Sequence, residues 1–260
     1  MKISVMEGML VRHHQASDDS PSVWFLHGFA DSGLAYRQVF YSPLKEDFNL
    51  YVVDFPGFGA SPINLDYPSI QEHTRLLLKA VVREAKGNRV SIVAHSLSGL
   101  IGTWICQHLK EQVNHYVNVE GNLTEADSYF SRKPLKYETS VEFAKAFEQE
   151  IFEKSNTDAR YRSYYSSVRL ADPEGMRNWS LTSQEFIKND QCGLAFKNLR
   201  CDKTYVWGDV DTPQETQTFI HEHHLPNRHY EGIGHWPMVE NTDVFYYDIG
   251  EIIKSSQTRS

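Results

Sequence analysis

Val90-Ser91-Ile92-Val93-Ala94-His95-Ser96-Leu97-Ser98-Gly99-Leu100-Ile101 is the stretch from which the architecture can be read. Val90, Ile92, Val93 and Ala94 make a short apolar run of strand type, and Leu97, Leu100, Ile101, Trp104, Ile105 and Leu109 then recur at helical spacing. Only Ser96 stands between the two patterns, which leaves no room for a loop. A chain that passes from strand to helix within one residue strains the backbone there, and only small side chains two positions before and after permit it. Ala94 and Ser98 are those neighbours. Such a turn raises the serine hydroxyl over the carboxyl end of a sheet and sets it at a helix N-terminus, where backbone N–H groups and the helix dipole favour developing negative charge.

Before this stretch the chain alternates strands and helices. Lys2 to Met6 and Met9 to His14 read as a hairpin turning at Glu7-Gly8, with His13 and His14 on opposite faces. Ser22-Val23-Trp24-Phe25-Leu26 is a continuous apolar strand of the kind buried on both sides, and it runs into His27-Gly28-Phe29-Ala30-Asp31-Ser32-Gly33, where Asp31 or Ser32 is a candidate helix cap. A helix is expected over Leu34 to Lys45, a strand over Asn49 to Asp54, and a helix over Ile70 to Ala85 with Ile70, Leu77, Leu78, Val81 and Val82 on its apolar side. Alternation of this kind implies a mostly parallel sheet with right-handed crossovers.

After the helix that follows Ser96, His115 to Asn122 gives another strand, and the next strand-like run begins only at Lys203. Helices fill the gap. Thr139-Ser140-Val141-Glu142 has the form of a capping box, and Phe143, Phe147 and Ile151 follow on one face; Ala159 to Val168 and Pro173 to Lys188 are further helical candidates. The chain then returns to strand and helix: Lys203 to Trp207, Gln214 to His223, and Arg228 to Tyr230, followed by Glu231-Gly232-Ile233-Gly234-His235. His221, His223 and His224 end a polar helix and read as solvated side chains, not as metal ligands.

Five short strings carry a family resemblance. Ala94-His95-Ser96-Leu97-Ser98-Gly99 resembles the G-x-S-x-G nucleophile elbow of the α/β-hydrolase superfamily, with Ala94 and Ser98 where the usual pattern has glycine. His27-Gly28 resembles its oxyanion-loop mark, Asp54-Phe55-Pro56-Gly57-Phe58-Gly59-Ala60-Ser61 its D-x-P-G-x-G-x-S loop, Gly208-Asp209-Val210-Asp211 its G-x-x-D, and Gly232-Ile233-Gly234-His235 its G-x-G-H. The resemblance implies an α/β-hydrolase fold: a mostly parallel central sheet with helices on both faces, formed by residues 1–121 and 203–260, and a helical cap inserted over 122–202. It implies a triad of Ser96, Asp211 and His235, in the superfamily's chain order, with the backbone N–H groups of Phe29 and Leu97 as oxyanion donors. Glu120, at the end of the strand after the elbow helix, is the alternative acid.

The activity so implied is serine hydrolysis of a small-molecule acyl substrate, a carboxylic ester by default. Thioester, lactone, amide and carbon–carbon bond hydrolysis share the same machinery, and a small-molecule receptor on a hydrolase scaffold is the reading from another class. A serine nucleophile disfavours dehalogenase and epoxide hydrolase chemistry, which in this superfamily runs through an ester on aspartate. No metal or organic cofactor is implied.

Composition narrows the partners. Thirty-four acidic against twenty-six basic residues give a formal charge of −8, with the cations scattered, which argues against a nucleic-acid surface. No apolar run is long enough to span a membrane, and the first residues meet a charge before any secretory core could form, so a cytoplasmic protein is expected. Cys106, Cys192 and Cys201 are odd in number and lack metal-type spacing.

Overall fold

The computed structural model describes residues 1–257. Strands β1 (Lys2–Met6) and β2 (Met9–His14) form the expected hairpin, which turns at Glu7 and Gly8 with φ of 50° and 82°. With β3 (Ser22–Leu26), β4 (Asn49–Asp54), β5 (Val90–His95), β6 (Val113–Val119), β7 (Lys203–Gly208) and β8 (Asn227–Tyr230) they build one sheet, ordered β1-β2-β4-β3-β5-β6-β7-β8. The β1/β2 and β2/β4 pairings are antiparallel and all others parallel. Phe25 of β3 lies between Val52 of β4 and Val93 of β5. Every residue of β3, β4, β5 and β6 is buried, as the unbroken apolar runs require of strands covered on both faces. That cover is visible on β6, where Tyr116 donates to the Gly99 carbonyl on one side and His115 reaches Ser256 on the other.

Two expectations need correction. The helix foreseen over Leu34 to Lys45 is a run of 3₁₀ turns over Gly33–Tyr41, capped by Ser32, followed by the short α1 (Leu44–Asp47). Pro43 is the cause, because the residue before proline is pushed out of helical geometry, and Ser42 is extended at ψ 163°. The strand foreseen over His115 to Asn122 starts at Val113 and stops at Val119, so Glu120 stands just past its end. Helix α2 (Ile70–Ala85) carries a full capping box between Ser69 and Glu72, and α3 (Gly99–Leu109) follows the elbow.

Between β6 and β7 lie α4 (Ser140–Thr157), α5 (Arg160–Val168), α6 (Pro173–Ile187) and α7 (Gln191–Lys197). Thr139 and Glu142 form the expected capping box of α4, which buries Phe143, Phe147 and Ile151. These helices are tied to the rest of the fold at separated points. Trp179 of α6 is fully buried and donates to His73 of α2 at 2.8 Å, while the Asp172 amide donates to the Gly57 carbonyl at 2.7 Å. After β7 come α8 (Gln214–Glu222), then β8, the short α9 (Pro237–Glu240) and α10 (Thr242–Gln257). Among the described residues no helix is long and apolar enough to cross a membrane.

Candidate active site

The carboxyl ends of β3, β5, β6, β7 and β8 open on the same side, and each supplies part of one site. At the end of β5, Ser96 has φ +55°, the left-handed strain expected of a one-residue strand-to-helix turn. Ser98 does more than stay small. Its hydroxyl donates to the carbonyls of Leu26 and His95 at 3.0 and 2.9 Å, tying the turn to β3. At the end of β3, Gly28 passes so close that a Cβ there would lie 2.7 Å from that of Ser96, so only glycine lets this loop pass beside the serine.

That loop is held from three directions. His27 is fully buried, takes the Phe55 amide N–H on Nε2 at 3.1 Å, and is kept neutral by burial, with its pKa lowered to about 4. The Tyr164 hydroxyl, on α5, donates to the Phe29 carbonyl at 2.9 Å. Asp54 anchors the neighbouring loop by accepting Arg12, the Gly33 amide and the Ala60 amide.

His235 is 5% exposed and borders the same cleft as Ser96, Gly28 and Phe29. The backbone around it is clamped by carboxylates: Gly234 and Trp236 donate their amides to Glu240 at 2.9 and 3.0 Å, and His235 donates its own to Asp211 Oδ2 at 2.9 Å. His95 Nε2 meets the His235 carbonyl at 2.8 Å.

The expected pairing of Asp211 with the imidazole is not what the structure contains. Asp211 holds the main chain of His235, and the same oxygen forms an ion pair with Arg160 of α5 at 3.0 Å. The carboxylate opposite His235 Nδ1 is that of Glu120, the alternative acid, at 3.4 Å. Glu120 is 4% exposed and strained at φ +49°, and it also accepts the Gly208 amide at 2.6 Å and the Thr212 hydroxyl at 2.8 Å. Those donors give a buried carboxylate the hydrogen bonds that water would otherwise supply. Arg160 explains the difference. The cation from the insertion draws Asp211 to the rim, and the longer glutamate side chain spans from β6 to the imidazole.

The cleft over Ser96 is small, about 10 Å³, barely room for one water. Phe130, from the stretch between β6 and α4, borders both this cleft and a vestibule of about 380 Å³ that is also bordered by Tyr129, Lys133, Lys154, Tyr161 and Asp211. His235 and Trp236 line both. A larger cavity of about 1000 Å³ borders Arg89, Val113 and Asp202 at the amino ends of the strands and contains none of these groups. Sequence reasoning gave no role to Tyr164, Arg160, Trp236 or Glu240. Trp236 and Glu240, one and five residues past a motif histidine, were within local reach.

Residues 25–246 match the model of the alpha/beta hydrolase family. A pimeloyl-[acyl-carrier protein] methyl ester esterase of Vibrio vulnificus is 33% identical over 107 residues, which cover 41% of this chain and 39% of that protein, well under half of its length. Among solved structures, a thermophilic esterase from Thermogutta terrifontis has a TM-score of 0.76 at 14% identity, over 98% of this chain and 99% of that one. An esterase from Exiguobacterium antarcticum has a TM-score of 0.71 at 16% identity, over 95% of each chain. At these identities the structural likeness extends to the fold.

Proposed function

Because the chain belongs to the alpha/beta hydrolase family, we propose that it is a serine hydrolase that cleaves a small-molecule acyl bond, a carboxylic ester before the other acyl bonds. The observation that carries this reading is convergence: a serine on a strained turn, a glycine-led loop and a histidine backed by a buried carboxylate border one cleft. A serine hydroxyl is a weak nucleophile near neutral pH, and this set supplies what it lacks.

In this mechanism His235 takes the Ser96 proton as the oxygen attacks the acyl carbon. The negative oxygen that forms is received by the N–H groups of Phe29 and Leu97, each donor contributing on the order of 100-fold to 1000-fold. The proton passes from His235 to the leaving alcohol, and the acyl group stays on Ser96. Water then repeats the sequence, giving the acid and free Ser96. Glu120 holds the imidazole tautomer and stabilises the imidazolium, the role the sequence assigned to Asp211. Asp211 becomes a brace between the histidine loop and the insertion. Residues 122–202 act as a cap that shapes the pocket and limits water, since Phe130 and Tyr164 from that segment border the cleft. The esterase activities named for the relative and the neighbours agree with ester hydrolysis.

Labelling with a fluorophosphonate, followed by peptide mapping, tests the reading. Modification of Ser96 together with turnover of simple para-nitrophenyl esters is the expected result. Ligand-induced stabilisation with no labelling and no turnover would instead support a receptor.

A further inference from the structure

Cys106, Cys192 and Cys201 are free thiols, and two of them stand together at the amino ends of the strands. Gly99, Gly102, Thr103 and Cys106 share one face of α3, being spaced at helical intervals. That face packs on Tyr116 of β6, whose hydroxyl donates to the Gly99 carbonyl at 2.7 Å and whose ring would lie 2.6 Å from a Cβ at Gly102. The Tyr116 amide in turn donates at 2.9 Å to the carbonyl of Asp202, the residue after Cys201. Because α3 is the crossover between two parallel strands, it runs back toward their amino ends, and its last turns bring Cys106 to the level at which the chain enters β7. Both thiols border the cavity of about 1000 Å³ at that end.

Their surroundings divide the chemistry between them. Cys106 is 2% exposed, and burial pushes its thiol well up. Cys201 is partly exposed and is held below the ordinary thiol range, first by the Cys106 thiol as hydrogen-bond donor and also by the charge of Lys203, against the effect of burial. A thiolate in reach of solvent is the nucleophile toward a peroxide, and a thiol beside it can resolve the product. Cys192 has neither property. It is buried, its thiol is pushed up to about 12, and its Sγ donates to the Leu123 carbonyl at 3.4 Å.

We propose that Cys106 and Cys201 are an oxidant-responsive pair, which hydrogen peroxide converts to a disulfide that staples the chain entering β7 to α3. The Cys201 thiolate attacks one peroxide oxygen, the O–O bond breaks, and a sulfenic acid and hydroxide form; the hydroxide takes up the proton that Cys201 had released. The Cys106 sulfur then attacks the Cys201 sulfur, the S–O bond breaks, and the departing oxygen leaves as water with the Cys106 proton. Two thiols thus lose two electrons to one peroxide, which ends as two waters. The bond closes a loop that contains β6 and all of α4 to α7. The pair lies away from Ser96 and is independent of the hydrolase reading.

The test exposes reduced native protein to a small molar excess of hydrogen peroxide, caps the remaining thiols with N-ethylmaleimide and maps the peptides without reduction. The expected product is a peptide pair joined through Cys106 and Cys201, lighter by two hydrogens and released by dithiothreitol, with Cys192 capped. The oxidised protein should melt at least about 4 °C above the reduced one, because the bond constrains the unfolded chain. In Cys106→Ser, dimedone present during oxidation should tag Cys201 instead, and the melting temperature should not rise. If that variant does not fold, the native protein alone decides. Native protein in which the two cysteines remain unlinked, or are linked through Cys192 or between chains, overturns the pair. A Cys106–Cys201 bond that leaves the melting temperature unchanged or lowers it overturns the staple, since the native geometry would then not accommodate the bond.

Discussion

Oε2 of Glu120 lies 3.4 Å from Nδ1 of His235, while the carboxylate of Asp211 is turned to the backbone N–H of that histidine and to Arg160. The contact is wider than an ordinary hydrogen bond, as catalytic pairs often are before substrate tightens them. On this geometry Glu120→Gln should lower kcat by about 10³ to 10⁴, through loss of imidazole orientation and imidazolium stabilisation. Asp211→Asn, which disturbs only the brace, should cost about tenfold or less. Steady-state kinetics on both variants decides, and the reverse ranking would return the role to Asp211.

Ser96→Ala should abolish fluorophosphonate labelling and lower turnover by a factor of about 10⁶, since triad members act as a unit. The variant should keep the parent's circular dichroism and melting profile. Near-native turnover would show that another residue is the nucleophile.

Ala94 is fully buried between Leu26 of β3 and Asn118 of β6, two residues before the strained serine. Ala94→Val should therefore cost about 1–3 kcal/mol by overpacking and lower activity as well. Urea unfolding measures it; an unchanged midpoint would mean that the turn has slack.

Phe130 borders both the inner cleft and the vestibule, with Lys133 and Lys154 ammonium groups 5.2 and 5.4 Å from its ring. Phe130→Ala should join the two spaces and shift kcat/KM toward longer acyl chains by on the order of tenfold relative to acetate. A chain-length series of para-nitrophenyl esters reads this directly, and an unshifted profile would show that Phe130 is no barrier.

Stability should fall as pH is lowered from 7 to 5. His27, His73 and His115 are held neutral by burial, with pKa values lowered to about 4, and burial holds His95 well below its ordinary value as well. In this window the unfolded chain binds the extra protons, so the contribution of these histidines is complete above the ordinary value of 6.5 and is lost on acidification. Asp31 and Asp127, both raised by burial to about 6, act the other way: the folded chain holds their protons longer, and their term weakens the fold as pH rises. The four histidines outnumber the two acids, so the net slope is positive. His73→Gln, which keeps an acceptor for Trp179, should flatten the urea midpoint against pH; a steeper profile would contradict the assignment.

The sequence alone determined the parts whose signals are local. An apolar run, one serine and a helical repeat within twelve residues fix the elbow, because strand and helix periods are properties of adjacent side chains. The same holds for the hairpin at Glu7-Gly8, the capping box at Thr139, and His235 in its glycine-flanked turn. It also held for the order of elements that makes the sheet parallel. Pro43 was equally local, but its effect on Ser42 was outweighed by the apolar spacing on either side of it.

What only the tertiary structure decided is which distant groups meet. Asp211 and Glu120 leave the ends of neighbouring strands, so chain position ranked them by motif alone. The choice between them turns on Arg160, 51 residues before Asp211, and on Thr212 and Gly208, which hold the glutamate from across the sheet. A hydrogen bond between residues so far apart in the chain is a property of the space between two side chains, and only the packed chain defines that space.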